Sequence, residues 1–397
     1  MTEPAAAAPE DDETPNERET GSVELLWDLV FVFAVTQVTT LFAADPSWKR
    51  FGQSMIVLAL IWWAWSAFVW ATDALEPESL SLRRQLLIAT VLIFVAGLSL
   101  PHAFGDEVWP FAIAYVLVRF IHLWMYADAS RGGTAARPAI LGFAISVGAG
   151  MLLLLVGAAL GGVGQVVLWL AALAIDYGGP GWLTRARLRG LQRVAVAHFA
   201  DRYGDFIIIC LGESIVAIGV GVSERGHALS AALVVIATLG VLIALAMWWT
   251  YFDAIAARAQ ERLRGHVDPV LAASDAYSYL HLIIVAGIII FAGAIKVVVH
   301  NRLGQPMPAA GRLAFDGGIA TYLIGVAVFR LRLLGEHSPA RLTTAAVLAA
   351  SAILGGDLPA WLITASATAV MLALCAVEFS ARRRQTASAV RGAPAQT

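Results

Sequence analysis

The chain has 397 residues, 59% hydrophobic and 14% charged, where a soluble protein keeps roughly a quarter of its residues charged. Its apolar residues come in continuous blocks of about 20, the length that crosses a hydrocarbon core of roughly 30 Å. This excludes a soluble globular fold, and the lack of alternation excludes a transmembrane β-barrel. The expected fold class is all-α, a polytopic transmembrane helical bundle. The net charge of −2 says little, because acids and bases are segregated along the chain. Cys210 and Cys375 both fall inside apolar blocks without CxxC spacing, which indicates neither a disulfide framework nor a zinc site.

Residues 1–22, rich in Glu, Asp, Ala and Pro, read as a disordered acidic cytoplasmic tail. No basic segment followed by an apolar core precedes the first block, so no cleaved signal is indicated. A first transmembrane half is expected over 23–177. Its blocks are Glu24–Ala44, Phe51–Asp73, Leu82–Phe104, Val108–Asp128, Pro138–Leu160 and Val163–Tyr177, the last two joined by a Gly161-Gly162 turn. Residues 178–202 form a basic linker in which arginines alternate with Leu and Val from Leu183 to Phe199. That pattern reads as an amphipathic helix attracted to anionic lipids of the inner leaflet, and its place between spans favours lipid over nucleic acid. The second half, 203–380, holds Tyr203–Val222, Ala228–Ile255, Ala276–His300, Leu313–Leu333, a short block Leu342–Leu354, and Leu358–Ser380. A basic cytoplasmic tail, 381–397, follows. The reading is about twelve spans, or ten or eleven if a short block only dips in.

Lys and Arg set the orientation. With the N-terminus inside, the outer loops hold only Lys49, Arg50, Arg225, Arg302 and Arg312. Apart from Arg119, Lys296 and Arg330 within spans, the inner segments hold the rest, with runs at Arg185–Arg193, Arg258–Arg264 and Arg382–Arg384. Both termini are therefore expected in the cytoplasm, with the protein in the inner membrane. The halves also echo one another. Asp28 and Asp205 open corresponding helices. Trp62-Trp63 with Asp73 matches Trp248-Trp249 with Asp253, and Tyr115 with Arg119 matches Tyr322 with Arg330. Gly161-Gly162 matches Gly355-Gly356. Six spans per half make this a 6+6 parallel repeat of the kind some transporters use.

A charge at the bilayer centre costs roughly 2.5–3.5 kcal/mol on insertion scales and usually has a partner, so depth ranks the candidates. Glu213 and Arg119 each lie ten or so residues into their blocks and meet near the midplane at about 1.5 Å rise per residue. They read either as a gated ion pair or proton-titrating carboxylate, or as a static pair that fixes packing. Asp28 and Asp205 lie about a turn inside, where helix capping alone would account for them. Glu24 with Asp28, and Asp201 with Asp205, are like-charged i,i+4 pairs that call for a nearby cation. Arg202, an inner-loop arginine or a transported cation would serve. Thr36 and Gln37 occupy the place in the first helix that Glu213 and Ser214 occupy in the seventh. His122, one turn from Arg119, and His281 read as packing residues able to titrate. Lys296 and Arg330 lie near span ends and read as snorkelling. The deep tryptophans read as packing. His198, Asp201 and Asp205 share a helix face, but a metal site needs three or four ligands, and no metal or cofactor is assigned.

Two segments carry a family likeness. ELLWDLVFVFAVTQVT (Glu24 to Thr39) and HFADRYGDFIIICLGESI (His198 to Ile215) resemble the signature segments of the bacterial low temperature requirement A family. The matching positions are Glu24, Asp28, Thr36 and Gln37, then His198, Asp201, Arg202, Gly204, Asp205, Gly212, Glu213 and Ser214. The resemblance implies a multi-pass inner-membrane protein associated with growth in the cold, and it names no reaction. The first segment is also similar to the opening helix of potassium channels built from six-helix repeats. There Leu26-Trp27-Asp28 stands in place of Phe-Ser-Asp, without the serine or the preceding arginine.

No P-loop, HExxH, GxSxG or dinucleotide fingerprint stands in a fitting context. The leading expectation is a transporter or permease-like protein moving an ion or small solute, with Glu213, Arg119, Asp28 and Asp205 lining a pathway. The alternatives are a cation channel with its pore between the first and seventh helices, an integral-membrane lipid-modifying enzyme using His198, Asp201 and Asp205, and a structural or sensory membrane protein.

Overall fold

A computed structural model describes residues 21–73, 79–131, 137–179, 196–224, 229–300 and 304–392. The acidic tail up to residue 20 and most of the basic linker (180–195) lie outside the described residues. The helices are α1 Ser22–Ala44, α2 Trp48–Asp73, α3 Leu80–Ser99, α4 Val108–Arg131, α5 Arg137–Leu160 and α6 Gly162–Gly178. They continue with α7 Val196–Glu224, α8 Ala231–Arg264, α9 Pro269–His300, α10 Ala309–Leu334, α11 Pro339–Leu354 and α12 Ala360–Gly392. Among the described residues there is no strand, and Pro306 and Pro359 form an isolated bridge. The fold is the all-α bundle expected. Among the described residues ten helices are long and apolar enough to cross a membrane, whereas α6 and α11 are shorter.

In hydrocarbon every backbone polar group must be satisfied within its own segment, which is why apolar blocks of this length become helices. Burial then sorts them. Within their apolar windows α2 is 89% and α9 78% buried, against 39% for α5, α8 and α12, so α2 and α9 form the centre and the others the rim. The α3 face bearing Leu87, Val91, Phe94 and Leu98 is exposed, as a lipid-facing stripe should be. α1 packs on α3 and α7 on α9, while α3 pairs with α4 and α9 with α10. The α9–α10 contact is the closest. A Cβ built on Gly287 would fall on the Tyr322 backbone, and one on Gly318 would meet the Phe291 nitrogen. Small residues that let backbones meet are the usual means of joining helices in lipid. The α5–α6 turn is the expected Gly161-Gly162 pair, with φ of 63° and 52°, a conformation that glycine adopts without steric penalty.

α8 and α9 each contain a π-helical stretch, Trp249–Ala256 and Ser274–Leu280. Such turns disturb the carbonyl ladder, and side chains take up carbonyls within them. Arg341 Nη2 donates to the Thr250 carbonyl at 2.9 Å, and Trp62 Nε1 to the Ser278 carbonyl at 2.8 Å. His281 closes the α9 stretch. Its Nδ1 lies 2.9 Å from the Ala276 carbonyl, so Nδ1 carries the proton and Nε2 accepts from Tyr251 Oη at 2.7 Å. It is a packing residue, as expected.

Two helix starts differ from expectation. α1 begins at Ser22 and α7 at Val196, because polar residues that looked like lead-in carry the helices beyond the apolar blocks. Asp28 and Asp205 therefore lie well inside their helices and cap nothing. Glu24 takes the capping role on α1, accepting from the Gly21 amide at 3.0 Å. His198, Asp201 and Arg202 belong to α7 and not to a linker.

Between α10 and α11, outside the spans, Glu336 accepts from Arg258 and, at 2.7 and 2.9 Å, from Arg330. Arg258, seconded by Arg330, holds its carboxyl below the usual glutamate range. A carboxyl depressed in the folded state adds stability that is present above its unfolded value and is lost as pH falls through the folded one. Glu336→Gln is accordingly expected to lower the melting temperature slightly at neutral pH and to flatten its fall into acid. Melts of the detergent-solubilised protein across that range check this, and an unchanged acid slope would refute it.

Candidate functional site

α1 and α7 run parallel and almost in register. Glu24 meets His198 and Asp28 meets Arg202 at a sequence separation of 174, and Thr36 meets Glu213 at 177. A near-constant offset means that the two helices stay side by side through the bundle. The polar groups along α7, with partners on α1, α2 and α9, form a ladder with three rungs.

The first rung lies near the start of both helices. Arg202 grips Asp28 with two hydrogen bonds, Nε to Oδ2 at 3.0 Å and Nη2 to Oδ1 at 2.7 Å, and its Nη1 lies 3.3 Å from Glu24 Oε1. Trp65 Nε1 also donates to Asp28 Oδ1, at 2.7 Å. His198 sits between two carboxylates, with Nε2 3.0 Å from Glu24 and Nδ1 3.0 Å from Asp73. The doubly protonated ring can donate to both. Asp28, His198 and Arg202 are fully buried. Three carboxylates against one guanidinium and one imidazole is an arrangement that persists only when charges compensate. Asp205, half-buried, faces the same group.

The second rung is neutral. Tyr203 Oη lies 2.7 Å from Ser66 Oγ and 3.0 Å from Ser278 Oγ, and Trp70 Nε1 donates to Ser278 Oγ at 2.7 Å. Trp62 and Trp65 pack edge-on against Tyr203. The deep tryptophans thus pack as expected, and three of them also donate hydrogen bonds. α9 supplies Ser278 because its π stretch turns that residue toward α2.

The third rung holds Glu213, 2% exposed. Thr36 Oγ1 donates to one of its oxygens at 2.5 Å and Thr39 Oγ1 to the other at 3.1 Å. Lys296, on α9, places Nζ 3.8 Å from that carboxylate while donating to Thr39 at 2.9 Å and Thr40 at 3.3 Å. Eleven residues separate Glu213 from the end of α7 at Glu224, about 16 Å along the axis, which is deep in a core of roughly 30 Å.

The two signature segments of the sequence therefore meet face to face. A sequence model of the bacterial low temperature requirement A (LtrA) protein matches residues 19–376. The chain belongs to the LtrA family. An uncharacterized protein of Rhizobium meliloti (strain 1021) is 31% identical over 277 residues, spanning 67% of this chain and 66% of that protein. No solved structure matches the chain.

Several expectations about this LtrA chain are corrected by the geometry. Arg119 does not meet Glu213. It is fully buried and donates from Nη2 to Asp176 Oδ1 on α6 at 3.1 Å, so Glu213 and Arg119 belong to separate sites. Lys296 does not snorkel but turns inward to Glu213. His198, Asp201 and Asp205 lie near one another, but the first two take separate hydrogen-bond partners. Asp201 is exposed and receives Gln260 at 3.1 Å, while His198 is enclosed by Glu24 and Asp73. Among the described residues no His, Cys, Asp and Glu cluster able to hold a metal is present.

The other candidates have quieter places. His122 is buried edge-on to Tyr126 and Phe143. Ser214 donates back to the Cys210 carbonyl at 3.3 Å. Gln37 is half-buried on α1 and adds no hydrogen bond to the ladder among the described residues. Sequence reasoning passed over Asp176 and the bidentate Arg341–Glu378 pair, at 2.6 and 2.9 Å. It also passed over the buried Asp316, which faces Ser351. Lys296 carried a signal: it is the one charged residue between Leu282 and Val299.

Proposed function

We propose that this LtrA-family protein is a permease-like carrier of the inner membrane that couples movement of an ion or small solute to protonation of Glu213. The observation that carries the reading is the third rung, where a carboxylate deep in the bundle faces a lysine at 3.8 Å across threonine hydroxyls. That spacing is longer than a hydrogen bond, so the ammonium is held chiefly by Thr39 and Thr40 and the carboxylate chiefly by Thr36 and Thr39. A proton arriving on Glu213 removes its charge and leaves Lys296 held by the hydroxyls. When the proton leaves, Lys296 or a cargo cation neutralises the carboxylate. Ionisable residues within the membrane commonly mark such pathways.

The reading treats the chain as two parallel six-helix repeats with α1 and α7 beside the axis between them. Thr36 and Glu213, equivalent positions in the two halves, meet in one hydrogen bond. Tyr115 of α4 donates to the Leu60 carbonyl of α2 at 3.1 Å, and Tyr322 of α10 donates to the Met247 carbonyl of α8. These equivalences support the repeat, and the arginine asymmetry supports cytoplasmic termini.

Purified protein in liposomes with an internal pH dye and a panel of ions tests the proposal. Wild type is expected to move protons with one member of the panel, and Glu213→Gln to abolish that flux. Gln keeps the size and hydrogen-bonding capacity of Glu, so its stability should stay within about 1 kcal/mol of wild type. A non-saturating, voltage-driven current would favour the channel between α1 and α7. Turnover of a lipid with no flux would overturn both readings.

A further inference from the structure

Away from the ladder, a cavity of about 750 Å³ opens between α2 and α6, a volume typical of small-molecule sites. Its mouth is formed by Trp48, Lys49 and Gly162 in the first turns of the two helices, and its floor by Ala59 and Leu173. On either helix the lining thus extends over about 16 Å at 1.5 Å per residue, close to half of a roughly 30 Å hydrocarbon core. The furrow is one leaflet deep, and it opens at the membrane face opposite the start of α1.

The walls are apolar, with Met55, Ile56, Phe104 and Val166 among them, and two buried amides interrupt them. Gln165 Nε2 is used by the Ala103 carbonyl at 2.7 Å. Gln53, 7% exposed, has its Oε1 taken by Arg50 at 3.1 Å. This leaves its amide nitrogen, a donor without a hydrogen-bond partner among the described residues, in the cavity wall. At the mouth Lys49 is exposed and forms no ion pair among the described residues, whereas Arg50 lies 4.0 Å from Asp45. Trp48 is 60% exposed beside it, the placement of an interfacial anchor. Gly52, on the same wall, has no atom within 4 Å of where a Cβ would stand. The site therefore offers an apolar slot of leaflet depth with cationic and amide donors at its rim, a complement to an anionic headgroup above an acyl chain.

We propose that the α2–α6 furrow binds one anionic phospholipid. An acyl chain lies between the helices, the phosphate sits at Lys49, and an ester oxygen accepts from Gln53. Native mass spectrometry of the purified full chain in detergent tests this, after incubation with phosphatidylglycerol or phosphatidylcholine of the same acyl composition. Wild type is expected to retain one phosphatidylglycerol and to hold phosphatidylcholine at least about tenfold more weakly, a difference of 1.4 kcal/mol. Lys49→Glu should erase that preference, and Gly52→Phe should displace both lipids. Arg83→Glu, exposed at the other end of the bundle, should change neither. Equal retention of the two lipids by wild type, or phosphatidylglycerol retained unchanged by Lys49→Glu, would overturn the site. Lys49 is exposed, so that variant decides even where Gly52→Phe does not fold.

Discussion

Arg202→Leu is expected to cost about 3–5 kcal/mol of stability, the penalty for breaking a buried ion pair and leaving its partner charged. Asp28 and Glu24 would both lose their guanidinium, with His198 remaining on the Glu24 side. The loss should not be repaired by Arg202→Lys. An ammonium keeps the charge but cannot make the two-pronged contact with Asp28, which depends on a planar fork. A double-mutant cycle gives the sharper test, since residues sharing one network couple. Arg202→Leu combined with Asp28→Leu should cost clearly less than the two single changes added together. Thermal or denaturant unfolding of the protein in mild detergent measures all three. Simple additivity would mean that the pair seen between α1 and α7 does not hold them together.

Gly287→Leu is expected to prevent the α9–α10 hairpin from closing. Even a methyl group there would overlap the Tyr322 backbone, and backbone cannot move aside as a flexible side chain can. Gly287→Ala should therefore cost on the order of 1–3 kcal/mol, as over-packing usually does. Gly219→Ala on α7, where nothing lies within 4 Å of the added carbon, should be neutral or stabilising by up to about 1 kcal/mol through helix propensity. Comparing the melting temperatures of the two alanine variants separates packing from propensity. If they move together, the close approach at Gly287 is not a structural requirement. Because α9 also carries Lys296 and Ser278, loosening this hairpin would disturb two rungs of the ladder at once.

The helices could be read from the chain because hydrocarbon imposes a length on any segment that crosses it, and Glu24–Ala44 or Phe51–Asp73 announce that length directly. The need for a cation near Glu24 and Asp28 could also be read, since like charges one turn apart are unfavourable alone, and Arg202 supplies it. The identity of the remaining partners could not. Glu213 and Lys296 lie on different helices, as do Arg119 and Asp176, and which buried charge meets which is decided by helix packing that leaves no periodicity in the sequence. Lys296 was misjudged because distance from a helix end measures whether a side chain can reach water, and not which way it faces. Asp73 and Asp253 look alike in sequence, each following a tryptophan pair. The fold sends Asp73 to His198 and Asp253 to Arg382.

The π stretches of α8 and α9 sit at the end and the beginning of consecutive helices, so they lie side by side at one end of the bundle. A turn of that kind holds about one residue more than an α turn, which advances the angular phase of everything beyond it by roughly 100°. Each helix is therefore two rods spliced out of phase. In α9 the π turn itself aims Ser278 at the tryptophans of α2, between a lower rod at Pro269–Ala273 and an upper rod that aims Lys296 at the threonines of α1. Losing one residue from Ser274–Leu280 would spin the lower rod while the upper kept its grip on Glu213. The facing of that end of α9 is thus set by one turn, separately from the facing of Lys296 at its centre.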